Sequence, residues 1–190
     1  LRPRDTSSTT ALGAAFLAQG CFYGLFPLIT RTRVGFPDAT IGACFAMMGV
    51  CQFVMFQVIK KWHGWHYRLQ AAVLPNVCLI LALLVLANAA RGAVMVAAAL
   101  IVPVGTSLSY MASMYYGATG NLRKMTVMSI HEGLLGCCLF AGGLLGGGLA
   151  KYYPMATPFY VVSGVLVLAT FVQYRLGWFG QSAFVSPVDI

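Results

Sequence analysis

The sequence predicts an all-α membrane protein of six transmembrane helices, and three observations predict it. First, of 190 residues 59% are hydrophobic and only 8% charged, with a mean hydropathy of +0.81. A soluble domain carries about 25% charged residues. This chain is too poor in charge to cover a water-facing surface, and too apolar to stay disordered. Second, the apolar residues gather into six runs of roughly the twenty residues that a helix needs to cross a bilayer. Third, the runs are apolar on every side, whereas the strands of a membrane barrel alternate over about ten residues.

The first run, "ALGAAFLAQGCFYGLFPLIT", covers residues 11–30 and is too long for the core of a signal peptide. Gln19 and Tyr23 stand one helical turn apart in it, with Pro27 a turn later. The second, residues 39–59, carries the lone amide Gln52 among Met47, Met48 and Met55, which read as packing filler. The third, 69–90, places Asn76 directly after Pro75, a proline whose freed carbonyls need partners from neighbouring helices. The fourth, 92–117, has Thr106, Tyr110 and Ser113 at i, i+4 and i+7, so they share a face. The fifth spans 125–150 and the sixth 152–174. The connections are short, so the whole chain, 1–190, forms a single membrane domain.

Net charge is +8, from 12 Lys and Arg against 4 Asp and Glu. The basic residues sit between apolar runs and form no continuous stripe, which excludes a nucleic-acid surface. With the N-terminus inside, Arg2, Arg4, Lys60, Lys61, Arg68, Arg123, Lys124 and Arg175 fall on one side and Arg31, Arg33, Arg91 and Lys151 on the other. Eight against four predicts that both termini are cytoplasmic. The six cysteines all lie inside apolar runs, as small buried hydrophobes do. In "KKWHGWHYR", residues 60–68, His63 and His66 lack a third ligand nearby, so the segment reads as an aromatic and basic interface anchor and not as a metal site. No GxxxxGK[ST] loop and no nucleophile–base pair stands in the chain. The expectation is therefore neither an ATP-driven pump nor an enzyme, with no cofactor and no metal.

The fifth run, "MTVMSIHEGLLGCCLFAGGLLGGGLA", holds His131 and Glu132 among glycines. Glu132 lies nine residues beyond Arg123, or about 13 Å along a helix, too far for the basic residues of the loop to pair with it. A carboxylate inside a bilayer costs about 2.5–3.5 kcal/mol or more unless it meets water or a partner. Glu132 therefore faces a cavity or another helix. At 100° per residue it shares a side with Gly136, Leu139, Gly143, Gly146 and Gly147, a side whose small residues let helices approach closely. Tyr110 stands about as far before the 118–123 loop as Glu132 stands after it, so antiparallel neighbours bring the two to one depth. His131 points about 100° from Glu132 and need not touch it. Each of these polar residues has two readings open, helix packing or a site for solute and protons.

On "RKMTVMSIHEGLLGCCLFAGGLLGGGLA" the chain resembles the second half of a major facilitator superfamily transporter. In that family the eleventh helix often opens on a basic residue, continues with an "hE" pair and ends glycine-rich. Here those features are Arg123–Lys124, His131–Glu132, Gly136 and Gly147–Gly148–Leu149–Ala150. "FYGLFPLIT" resembles the family's seventh helix. The loop motif of glycine followed by Asp-Arg has no acidic member in "KKWHGWHYR". The resemblance implies one half of a twelve-helix fold in the cell (inner) membrane, with membrane lipids, a small-molecule substrate, and a missing N-terminal six-helix half or a second copy as its partners. The chain would then be a fragment of a longer transporter. It implies secondary transport by alternating access, with Gln19, Tyr23, Tyr110 and Glu132 lining the cavity and Glu132 with His131 as proton-coupling candidates. The alternative is a membrane assembly or anchoring module that does not transport.

Overall fold

In the computed structural model, residues 3–62, 70–118 and 124–181 are described. His63, His66, Trp65, Tyr67, Arg68 and Arg123 lie outside them. The described residues form six helices: α1 Pro3–Val34, α2 Asp38–Lys61, α3 Gln70–Asn88, α4 Gly92–Ala118, α5 Lys124–Tyr152 and α6 Thr157–Gln181. Five are long and apolar enough to cross a membrane, the mark of an integral membrane protein. The apolar stretch of α3, Val73–Asn88, is shorter. Large apolar side chains such as Phe53, Leu81, Leu144 and Leu168 stand exposed on the outer faces, where lipid and not water is the compatible solvent.

The predicted spans need one correction of order. Tyr152, expected to open the sixth helix, is the last residue of α5, and α6 begins only at Thr157. Pro154 is the cause, because it has no amide hydrogen to continue α5 and it disfavours helix at the residue before it. α1 also begins earlier than residue 11, at Pro3, and α3 ends at Asn88, whose side chain bonds back to the Leu84 carbonyl at 2.8 Å.

α1 turns into α2 through Gly35, whose φ of +72° is left-handed, a conformation that costs little only without a β-carbon. The amides of Gly35 and Phe36 close on the carbonyls of Arg31 and Thr30. Arg31 pairs with Asp38 across this turn, and Arg33 donates to the Ala87 carbonyl at 2.7 Å, satisfying the C-terminal end of α3.

α1 is the centre of the bundle. Phe22, Leu25, Phe26 and Ile29 pack with Leu79, Leu83 and Leu86 of α3, Met95 and Val102 of α4, and Phe159, Val162 and Leu166 of α6. The principal helix pairs are α1 with α5, α6 and α4, α4 with α3 and α2, and α3 with α6. Exchanging α1 with α4, α2 with α5 and α3 with α6 maps this set of pairs onto itself. Directions follow from the contacts. α1 and α5 run parallel, since Gly13 meets Cys138 and Gly24 meets Gly143. α2 and α4 also run parallel, since Cys51 approaches the Leu100 carbonyl and Phe56 meets Tyr110. α3 and α6 are antiparallel and held by Asn76 with Thr170 and Gln173 at one end and by Tyr160 with Asn88 at the other. Two three-helix units of opposite direction thus pack around α1 and α4. On one side α3 and α6 close against each other, whereas on the other α2 and α5 stand apart.

Candidate functional site

The gap between α2 and α5 is a groove whose floor is built by α1 and α4. Each of those helices contributes one tyrosine, of which Tyr110 meets both α2 and α5. On α1, Tyr23 sets its ring edge-on against Phe45 of α2, with centroids 5.7 Å apart, while the adjacent Gly24 faces Gly143 of α5. On α4, the Tyr110 ring lies 5.8 Å from Phe56 of α2 and 5.3 Å from His131 of α5. Tyr110 also meets Phe16 of α1 at 6.3 Å.

The Tyr110 hydroxyl donates to Glu132 Oε1 at 3.0 Å. The short α4–α5 connection makes this pairing, because each residue sits a similar number of turns from it. Glu132 is 55% exposed through its side chain, and it lies one turn beyond Met128, where the apolar stretch of α5 begins. The carboxylate is thus near one end of the bundle and open to the groove, where water lowers the cost of its charge. His131 is buried beside it, with Nδ1 3.4 Å from Glu132 Oε1, and neither ring nitrogen has a hydrogen-bond partner among the described residues. The two become an ion pair when the imidazole is protonated.

The second polar pair lies deeper. Gln19 is 4% exposed, and its Nε2 donates to the Tyr23 hydroxyl at 2.6 Å, the i, i+4 contact read from the spacing. Tyr23 falls at the centre of the apolar stretch Leu12–Val34 and is 37% exposed. The Gln19 carbonyl oxygen is buried without a partner among the described residues. The four residues expected to line one cavity therefore stand as two separate pairs along one groove. Among the described residues no hydrogen bond or ring contact joins Gln19 or Tyr23 to Tyr110 or Glu132, and Phe16 lies between them.

The expected face of α5 packs on α1 in part: Leu139, Gly143 and Gly146 meet it, joined by Cys138 and Gly142, whereas Glu132 stays exposed and His131 is buried. Gly136 and Gly147 face open space. Between α1 and α5 the backbones touch. A β-carbon on Gly20 would overlap the Leu139 carbonyl, and one on Gly142 would overlap that of Leu17. His131 and Glu132 approach although their side chains diverge by about 100°, because Glu132 bends back toward the Tyr110 hydroxyl at the seam of α4 and α5.

The Thr106 hydroxyl, expected to share a polar face with Tyr110, instead bonds its own helix at the Val102 carbonyl, 3.1 Å away, and is fully buried. Phe16, Phe45 and Phe56 are the groove residues that the sequence did not single out. Phe16 had a legible signal, since it stands on the face of Gln19 and Tyr23 at i, i+3 and i+7. Among the described residues no cluster of three His, Cys, Asp or Glu side chains could hold a metal ion. Compared with known proteins, the chain matches no protein family and no curated protein.

Proposed function

We propose that the chain forms one wall of a solute pathway and works as half of a major-facilitator-type secondary transporter, moving a small solute by alternating access. The observation that carries this reading is the Tyr110–Glu132 hydrogen bond, which holds a half-exposed carboxylate in an open groove between two membrane-length helices. A carboxylate held only for packing would be covered by the neighbouring helix, where its hydrogen bond gains most, whereas the Glu132 side chain is 55% exposed. The exchangeable three-helix units support the same reading, since transporters built from inverted repeats bind solute at the interface of the repeats. Glu132 carries the coupled proton and His131, at 3.4 Å, exchanges with it. The termini face the cytoplasm in this reading, which puts Glu132 near the inner end of the pathway and Tyr23 at mid-depth.

The test is solute-driven proton movement in proteoliposomes that carry a trapped pH dye. In the wild type a transported solute dissipates an imposed pH gradient. Glu132→Gln abolishes that coupling while the purified protein stays monodisperse. Equal pH dependence in the variant would remove Glu132 as the proton carrier.

A further inference from the structure

We infer that the solute is an organic ammonium ion and that it exchanges one for one with a proton, because the two compete for Glu132 and the buried His131 beside it is where the proton goes. This deepens the transport reading by naming its substrate class and its coupling, and it rests on that reading.

Glu132 has one engaged oxygen and one free one. The Tyr110 hydroxyl at 3.0 Å and His131 Nδ1 at 3.4 Å both approach Oε1. Oε2 has no partner among the described residues, and the side chain is 55% exposed. The charges that face it are few. From α4 comes Tyr110, which is neutral, and from α1 the apolar ring of Phe16 behind it. Lys60 and Lys61 close α2 one turn beyond Phe56, but they are exposed and neither pairs with Glu132. Lys124 stands two turns earlier on α5, about 12 Å along the helix.

His131 alone stands close enough to answer the carboxylate. It is 6% exposed, and neither of its ring nitrogens has a hydrogen-bond partner among the described residues. A buried imidazole with both nitrogens idle has only the neighbouring carboxylate to stabilise an added proton. The His131–Glu132 pair therefore carries one negative charge without a proton and no net charge with one. An anion finds no excess positive charge in either state. Without the proton, the pair takes an ammonium at Oε2 through a charge-assisted hydrogen bond. With it, the imidazolium supplies the counter-charge and the ammonium loses its attraction. Arrival of the cation thus expels one proton to the water of the groove, and return of a proton expels the cation.

The surroundings suit an organic cation and not a metal ion. A hard metal ion takes about six oxygen ligands or more, and this point offers one carboxylate and one phenol. What it offers besides is aromatic. The rings of Tyr110 and Phe56, both partly exposed, stand 5.8 Å apart across the groove. Ring faces attract an ammonium and cover the apolar body attached to it.

Benzylamine, benzyl alcohol and benzoate carry one ring with a positive, a neutral and a negative head. Their binding to the purified chain in detergent is measured calorimetrically at about pH 6, 7 and 8. At the highest pH benzylamine should bind at least about tenfold tighter than the alcohol, with benzoate undetected and with no displacement by an equal concentration of sodium ion. Its affinity should fall on acidification, approaching about tenfold per pH unit, the limit for one proton released per cation bound. Titration in buffers of different ionisation enthalpy counts that proton directly. His131→Gln should retain benzylamine binding and flatten its pH dependence, and Glu132→Gln should abolish the preference for the amine over the alcohol. Benzoate binding as tight as that of the amine, displacement by sodium, a wild-type affinity unchanged across this pH range, or an unaltered pH slope in His131→Gln would each overturn the inference. The wild-type probe order and proton count stand as tests even if a variant fails to fold. Uptake of the same probes into proteoliposomes separates this inference from the transport reading. An amine that binds with proton release but is not taken up would sink transport alone, and uptake restricted to benzoate would sink the substrate class alone.

Discussion

The α1–α5 pair and the α2–α4 pair occupy equivalent places in the bundle, yet they are built differently. Both run parallel and both flank the groove. In the first, Gly20, Gly142 and Gly146 bring main chain onto main chain. In the second, the glycines of α2 are turned away, since Gly42 and Gly49 face open space. Side chains span that seam instead, with Phe56 against Tyr110 and Cys51 Sγ 3.6 Å from the Leu100 carbonyl. The lesson concerns how helices associate in lipid, where burial of apolar surface gives no drive and close packing must supply it. One wall of the groove is held by main-chain contact and the other by side chains, among them the cluster of Ile59 and Met55 of α2 with Leu108, Met111 and Ala112 of α4.

Four substitutions test that difference, in order of effect. Gly142→Ala sets a β-carbon into the Leu17 carbonyl and forces the backbones apart, for an expected loss of about 3 kcal/mol in unfolding by denaturing detergent. Gly20→Ala should act through the same displacement, so the double variant loses less than the sum of the two. Strict additivity would mean that the two glycines serve separate contacts. Phe56→Ala on the other wall should cost about 1 kcal/mol, since it removes ring contact without separating main chains. A loss as large as that of Gly142→Ala would erase the distinction between the seams. Gly49→Ala, placed in open space, should shift stability by no more than about 0.5 kcal/mol.

Much of this architecture was legible because bilayer thickness sets the length of an apolar run. The helix order and most boundaries follow from it, and Pro154 accounts for the displaced start of α6. The Tyr110–Glu132 contact was legible because a short connection between antiparallel helices equalises depth, and the Gln19–Tyr23 contact because i, i+4 is a local rule. The packing face of α5 was legible only in part, through Leu139, Gly143 and Gly146. Gly142–Gly146 and Gly143–Gly147 offer the same spacing about 100° apart, and only the shape of α1 decides between them. The splitting of the site into two pairs was likewise hidden, because it depends on Phe16, one of twelve phenylalanines, falling between them.

The glycine seam has a further consequence for motion. A contact made of side chains can accommodate sliding by changing rotamers, but main chain against main chain has no rotamer to change. Sliding α5 along α1 would drag the main chain at Leu139 and Gly142 across Gly20 and the Leu17 carbonyl, with which it is already in contact. Axial slip is therefore blocked, and α1 with α5 translates and tilts as one stiff beam. Any widening of the groove is left to α2, whose seam with α4 is made of side chains, Phe56, Cys51 and Ile59 among them.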